Sequence, residues 1–113
     1  LLQIKTAVEL YSQTSFNTVL LNYYRTGEDS MGWHADNEAE LGKNPSIASV
    51  TLGTERRFVL RLNTNHSQKH AINLADGSLL IMKGELQHIA QHCLPKQKKI
   101  IGERINLTFR LIK

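Results

Sequence analysis

Two periodicities run along the chain in succession. Residues 1–12, LLQIKTAVELYS, place Leu1, Ile4, Val8 and Tyr11 at helical spacing, which predicts one short amphipathic helix lying on a core. The period then drops toward two. FNTVLLNYY (16–24), IASVTLG (47–53) and RRFVLRLN (56–63) are rich in β-formers and read as strands. AINL (71–74) and SLLIMK (78–83) follow, separated by the turn signal ADG. The final stretch, ERINLTFRLIK (103–113), alternates over its length. Ile105, Leu107, Phe109 and Leu111 fall on one face, and Arg104, Asn106, Thr108, Arg110 and Ile112 on the other. RTGEDSMG (25–32), NEAELGKNPS (37–46) and NTNHSQKH (63–70) are polar loops. One helix followed by about seven or eight short strands predicts a mainly β domain, a sandwich or a barrel.

Composition narrows the setting rather than the chemistry. A chain of 113 residues is at most one domain. Cys93 is the sole cysteine and cannot form an internal disulfide, so a reducing compartment is the easier reading: cytoplasm in a bacterium, nucleus or cytoplasm in a eukaryote. No apolar run is long enough for a membrane-spanning helix, and a monomer is the default expectation. The chain opens on Leu1 rather than Met, as expected of a fragment of a longer protein. Lys and Arg number 14 against 10 Asp and Glu, giving +4 and a pI near 9.4. The basic groups ERRFVLR (55–61) and PKQKK (95–99) permit a polyanionic partner without requiring one.

GWHADNE (32–38) carries the first chemical signal. On a strand, His34 and Asp36 would share a face about 7 Å apart, close enough for an imidazole and a carboxylate to reach one cation. Two ligands are too few, and the chain offers His66, His70, His88 and His92. His66 and His70 sit in a polar loop. His88 and His92, at i and i+4, could bind a zinc-like ion together on a helix, but Gly84 and Pro95 leave room for little more than one turn. QHCLPK (91–96) follows an apolar strand and favours His92. Two histidines and one carboxylate form the facial triad of non-haem Fe(II) oxygenases. Arg104 and Arg110, on one face of the last strand, point to an anion. A planar guanidinium suits a carboxylate, although the two Cα atoms would lie roughly 20 Å apart.

With these residues in place, the chain resembles the AlkB family of Fe(II)- and 2-oxoglutarate-dependent dioxygenases, in its nucleic-acid demethylase branch. NYYRTGEDSMGWHADNE, PSIASVTLGTERRFVLR, DGSLLIMKGELQHIAQHCLPK and RINLTFR carry the resemblance over residues 22–110. It implies a double-stranded β-helix, or jelly roll, with a short N-terminal helix. It implies Fe(II) on His34, Asp36 and His92, and 2-oxoglutarate on Asn22, Tyr24, Arg104, Asn106 and Arg110. Arg104 would meet the distal carboxylate, with Arg110 near the end that chelates iron. Glu38 matches an acidic position near the flipped base. Trp33 would pack under the metal or flank the substrate, and Arg56, Arg57 and Arg61 could touch phosphate or be ordinary surface charge, as could Lys96, Lys98 and Lys99. Cys93 reads as a small buried residue.

The implied reaction is oxidative dealkylation of N-alkylated DNA or RNA bases such as 1-methyladenine and 3-methylcytosine. It consumes O₂ and releases formaldehyde, succinate and CO₂. Family members also carry an N-terminal lid, for which only about 20 residues precede the barrel here, so this chain is expected to be a catalytic core without it. The rival readings are a same-fold oxygenase acting on a protein, lipid or small molecule, and a jelly-roll binding module without iron.

Overall fold

In a computed structural model, which describes residues 1–112, two four-stranded antiparallel sheets face each other. One sheet has the order β1 (Thr18–Tyr24), β8 (Arg104–Arg110), β3 (Ile47–Gly53), β6 (Leu79–Met82). The other has the order β2 (Met31–His34), β7 (Ala90–Leu94), β4 (Arg56–Leu62), β5 (Lys69–Leu74). The chain crosses between sheets at nearly every connection, as a jelly roll requires. A helix α1 (Leu2–Ser12) opens the chain and a one-turn helix α2 (Leu86–Ile89) precedes β7.

Alternation along β8 divides the interior into two cores. Leu107 and Phe109 face outward from the β1–β8–β3–β6 sheet and pack with Ala48, Val50, Phe16 and Val8 beneath α1. Arg104, Asn106 and Thr108, on the opposite face, are buried between the sheets. The apolar part of that inter-sheet space is filled by Tyr24, Leu41, Ile47, Phe58, Leu74, Met82 and Leu94. Apolar residues and the polar residues of β8 therefore share the space between the sheets.

Several expected boundaries move. Of the apolar stripe on α1 only Val8 is buried and Ile4 partly so; Leu1 and Tyr11 lie in solvent at 66% and 76% exposure. The helix ends at Gln13 in the left-handed region (φ 55°). Phe16, expected in a strand, precedes β1 and plugs the outer core, its N–H donating to the Glu9 carboxylate at 2.7 Å. β2 begins inside the stretch expected as loop, at Met31 and Gly32, and runs on to His34, because Met31 and His34 pair with Leu94 and His92 across an irregular register. β5 begins at Lys69, two residues earlier than AINL. β8 stops at Arg110, and Lys113, expected at its end, lies outside the described residues. Gly53 turns the chain from β3 toward β4 at φ 96°, where a Cβ would meet the Glu103 carbonyl at 2.6 Å.

Candidate active site

His34, Asp36 and His92 bring one ligand atom each to within 4.8 Å of one another, the only such group among the described residues. His34 is the last residue of β2 and pairs directly with His92 of β7, so the antiparallel ladder sets the two imidazoles edge to face at 4.3 Å between centroids. The His34 Nδ1 donates to the Gly32 carbonyl at 2.8 Å, which leaves Nε2 free to ligate. Burial, reinforced by repulsion from His34 and Arg110 against the pull of Asp36, lowers His92 to about 4. The ring is therefore neutral at physiological pH, the form that binds a metal. These donors fit a divalent metal of the facial-triad type.

Asp36 reaches the group by a route the spacing did not indicate. It shares no strand with His34, since β2 has already ended. Its N–H instead donates to the Gln87 side chain at 2.9 Å, and its Oδ2 accepts from Arg110 Nη2 at 3.2 Å while lying 4.0 Å from His92 Nε2.

A cavity of about 460 Å³ runs from this group to Arg104. Arg104 is 3% exposed, and no carboxylate among the described residues lies within 4 Å of it. Its Nη2 donates to Thr51 Oγ1 at 3.0 Å and weakly to Asn106 Oδ1 at 3.4 Å, its guanidinium lies 5.2 Å from the Tyr24 ring centre, and its Nε has no partner. Burial lowers the Arg104 pKa and raises that of Tyr24. A buried guanidinium with an idle donor and no counter-ion is a site for an anion. Ser49 donates to Asn106 Oδ1 at 2.6 Å and Asn106 Nδ2 to Thr108 Oγ1 at 2.7 Å, which orients the asparagine within the same wall. Asn22 and Tyr24 of β1 line the cavity opposite Asn106 and Arg104 in the strand register. Metal donors at one end and an unpaired guanidinium at the other fit a bidentate chelator with a distal carboxylate, the donor pattern of 2-oxoglutarate.

The remaining expected site residues scatter. Glu38 is exposed and lines the cavity, joined there by Glu40; Leu41, buried in the core, anchors the segment that carries both. Trp33 does not line the cavity. Its ring is covered by the Arg61 guanidinium at 4.0 Å on the outer side of the β2–β7–β4–β5 sheet. Arg56, expected at phosphate, is 1% exposed and cannot reach it. Its guanidinium donates to the carbonyls of Thr26, Asp29 and Pro95 and to Gln97 Oε1, pinning two loops together. Arg57 remains on the surface. Cys93 is buried and its thiol pKa is raised by burial. His66 and His70 are exposed, and His88 turns its ring to the Lys43 carbonyl instead of joining His92, so the paired zinc arrangement does not form. Gln87, Ser49 and Thr51 were not singled out from sequence. The strand alternation of IASVTLG put Ser49 and Thr51 on one face, which was the available signal; nothing local marked Gln87.

The chain matches the 2OG-Fe(II) oxygenase superfamily over residues 1–110. It is 39% identical to the alpha-ketoglutarate-dependent dioxygenase alkB homolog 3 of Bos taurus, over 99% of this chain and 42% of that protein. It is 38% identical to the DNA oxidative demethylase ALKBH2 of Arabidopsis thaliana (86% and 38%) and 40% identical to that of Homo sapiens (87% and 40%). The chain thus spans about two fifths of the length of these relatives. The solved structure of OsALKBH1 superposes with a TM-score of 0.74 at 21% identity, over 96% of this chain and 61% of that one, which establishes the jelly-roll fold. The protein is a member of the 2OG-Fe(II) oxygenase superfamily, with its likeness among the AlkB-type dioxygenases.

Proposed function

We propose that this chain is the catalytic core of an oxidative demethylase acting on N-alkylated bases in DNA or RNA. The observation that carries the reading is one cavity with three metal donors at one end and, at the other, Arg104 with an idle Nε and no carboxylate partner among the described residues. His34, Asp36 and His92 would hold Fe(II), and Asn22, Tyr24, Arg104, Asn106 and Arg110, all lining the cavity, would hold 2-oxoglutarate. Iron with 2-oxoglutarate and O₂ supplies an oxidation that converts the co-substrate to succinate and CO₂ and hydroxylates the N-alkyl carbon, whose loss as formaldehyde restores the base.

The chain's own residues supply position and charge. Arg110 Nη2, 3.2 Å from Asp36 Oδ2, fixes the direction of the carboxylate. Arg104, in its low-dielectric end, fixes the distal carboxylate and so orients the whole co-substrate. Leu20, Met31 and Leu94 add an apolar part to the cavity wall. Glu38 and Glu40 at the cavity lining favour a base that has become cationic by alkylation, as 1-methyladenine and 3-methylcytosine are. A base in duplex must leave the stack to reach the cavity, and the excess of basic residues favours contact with the phosphate backbone.

The test has two stages. Anaerobic Fe(II) and 2-oxoglutarate together should give a visible charge-transfer band that His92→Ala weakens or abolishes. Methylated oligonucleotides, offered next with O₂, should yield formaldehyde in proportion to succinate. No band in the unaltered protein would overturn the dioxygenase reading. A band with succinate but no formaldehyde from any alkylated oligonucleotide would leave the iron chemistry standing and favour a protein, lipid or small-molecule substrate.

A further inference from the structure

Asp36 is the one metal-facing residue that no strand holds. β2 ends at His34, so the Asp36 N–H has no ladder partner, although the residue is only 6% exposed. A buried N–H without an acceptor destabilises the fold, so it needs a partner. The acceptor comes from Gln87, 51 positions later in the chain. Gln87 is 2% exposed, and burying a glutamine so completely freezes a long side chain with many rotamers. Besides the bond to Asp36, its side chain has, among the described residues, only a contact from Nε2 to the Met82 thioether, at 3.6 Å. A thioether is a weak acceptor, so the bond to Asp36 is the one that justifies the burial. The next residue, His88, sets its ring against the Lys43 carbonyl. Helix α2 therefore grips the segment between β2 and β3 at two points, and β7, which follows without a break, carries His92.

We propose that Gln87 is a positioning residue for the metal, acting through the backbone of Asp36. The inference rests on the iron-site reading above. Gln87 holds the Asp36 backbone while Arg110 holds its carboxylate. An aspartate has two side-chain torsions between backbone and oxygens, so a backbone shift moves the carboxylate almost directly. Residues 87–92 thereby supply one ligand, His92, and fix a second.

The metal affinity of the chain, titrated calorimetrically with Mn(II) in place of iron and with no turnover, tests this beside the melting temperature of the metal-free protein. Gln87→Met fills the same volume without an acceptor and should raise the Mn(II) Kd about 10–100-fold, the range for losing an outer partner of a ligand. Gln87→Glu keeps an acceptor oxygen at the same reach and should return the Kd to within a few-fold of wild type. Met82→Leu removes only the thioether contact and should leave the Kd unchanged. A Gln87→Met protein that melts lower yet binds Mn(II) within twofold of wild type would overturn the proposal, because Gln87 would then be core packing alone. Should Gln87→Met fail to fold, Gln87→Asn, whose arm is one methylene too short, carries the same two expectations. Wild-type protein that takes up no Mn(II) would bring down the iron-site reading and this inference with it. Loss confined to the variants separates one from the other.

Discussion

At the arginine end of the cavity every polar group stands on a regular ladder. Arg104, Asn106 and Thr108 alternate along β8, paired residue for residue with β1 on one side and β3 on the other. At the metal end only His92 lies within a strand; His34 ends one, and Asp36 lies in irregular chain tethered by side chains from 51 and 74 residues away. The co-substrate end is thus held by backbone hydrogen bonds, which no single side-chain change removes. At the metal end the ladder sets the two histidines, but Asp36 is held by individual side chains, which single changes do remove. A site that must let reactants enter beside the metal has reason to be built this way, with its rigid part farthest from the entrance.

The largest effects should come from the ligands themselves. Asp36→Ala or His34→Ala should abolish both the visible Fe(II)–2-oxoglutarate band and succinate formation, a loss beyond the roughly 10–100-fold expected for an outer partner. Far-ultraviolet circular dichroism should stay unchanged, since neither side chain supports a strand. Retained succinate formation in either variant would mean that the metal sits elsewhere.

Next in size, Arg104→Met should raise the KM for 2-oxoglutarate by about 10–100-fold, the worth of charge-assisted hydrogen bonds in a buried site. Mn(II) affinity without co-substrate should be unaffected, because the partners of the Arg104 side chain are Thr51, Asn106 and Tyr24 and not the metal donors. Thr51→Val, which removes one hydrogen-bond partner of Arg104, should act in the same direction by only a few-fold. Equal losses in metal affinity and in KM would show that the two ends are not separately built.

The same contrast explains what could be read from sequence. RINLTFR is legible because a period of two with arginines on one face states both the strand and its buried polar side. The HxD pair and His92 were legible as a ligand set, although their expected geometry was wrong in one respect: Asp36 is not carried by a strand. What escaped was whatever depends on contacts distant in sequence and carries no local pattern. Gln87 is an unremarkable residue in a one-turn helix until the fold brings Asp36 to it. Arg56 shows the converse. Its neighbours in ERRFVLR read as surface charge, yet its position on the strand turns it inward to three carbonyls that only the tertiary fold assembles.

A smaller effect should appear in the metal-free protein as a pH dependence. His92 titrates at about 4 in the folded chain against an ordinary value near 6.5. The unfolded chain therefore binds the extra proton first, and stability falls as pH drops from about 6.5 toward 4. The melting temperature should decline over that window by roughly 5 °C or more. His92→Asn, which cannot titrate there, should flatten the slope. An unchanged slope would show that His92 is already protonated in the fold, or that other groups govern the decline.

The smallest effect should be found one residue from the metal. Trp33 and His34 are neighbours on β2, and their side chains go to opposite sides of the sheet: His34 into the cavity, Trp33 outward under the Arg61 guanidinium. A partly exposed cation–π contact of this kind is worth about 0.5–1 kcal/mol, and Arg61 is also held by two bonds to Gln91 Oε1. Trp33→Leu should therefore lower stability by about 1 kcal/mol, with Mn(II) affinity and the KM for 2-oxoglutarate unchanged. Arg61→Met should cost a similar amount, and the double variant less than the sum of the two, since both remove the same contact. A marked loss of metal affinity in Trp33→Leu would mean that the outer face of β2 supports His34 through the sheet. The metal end would then depend on packing as well as on the individual tethers of Asp36.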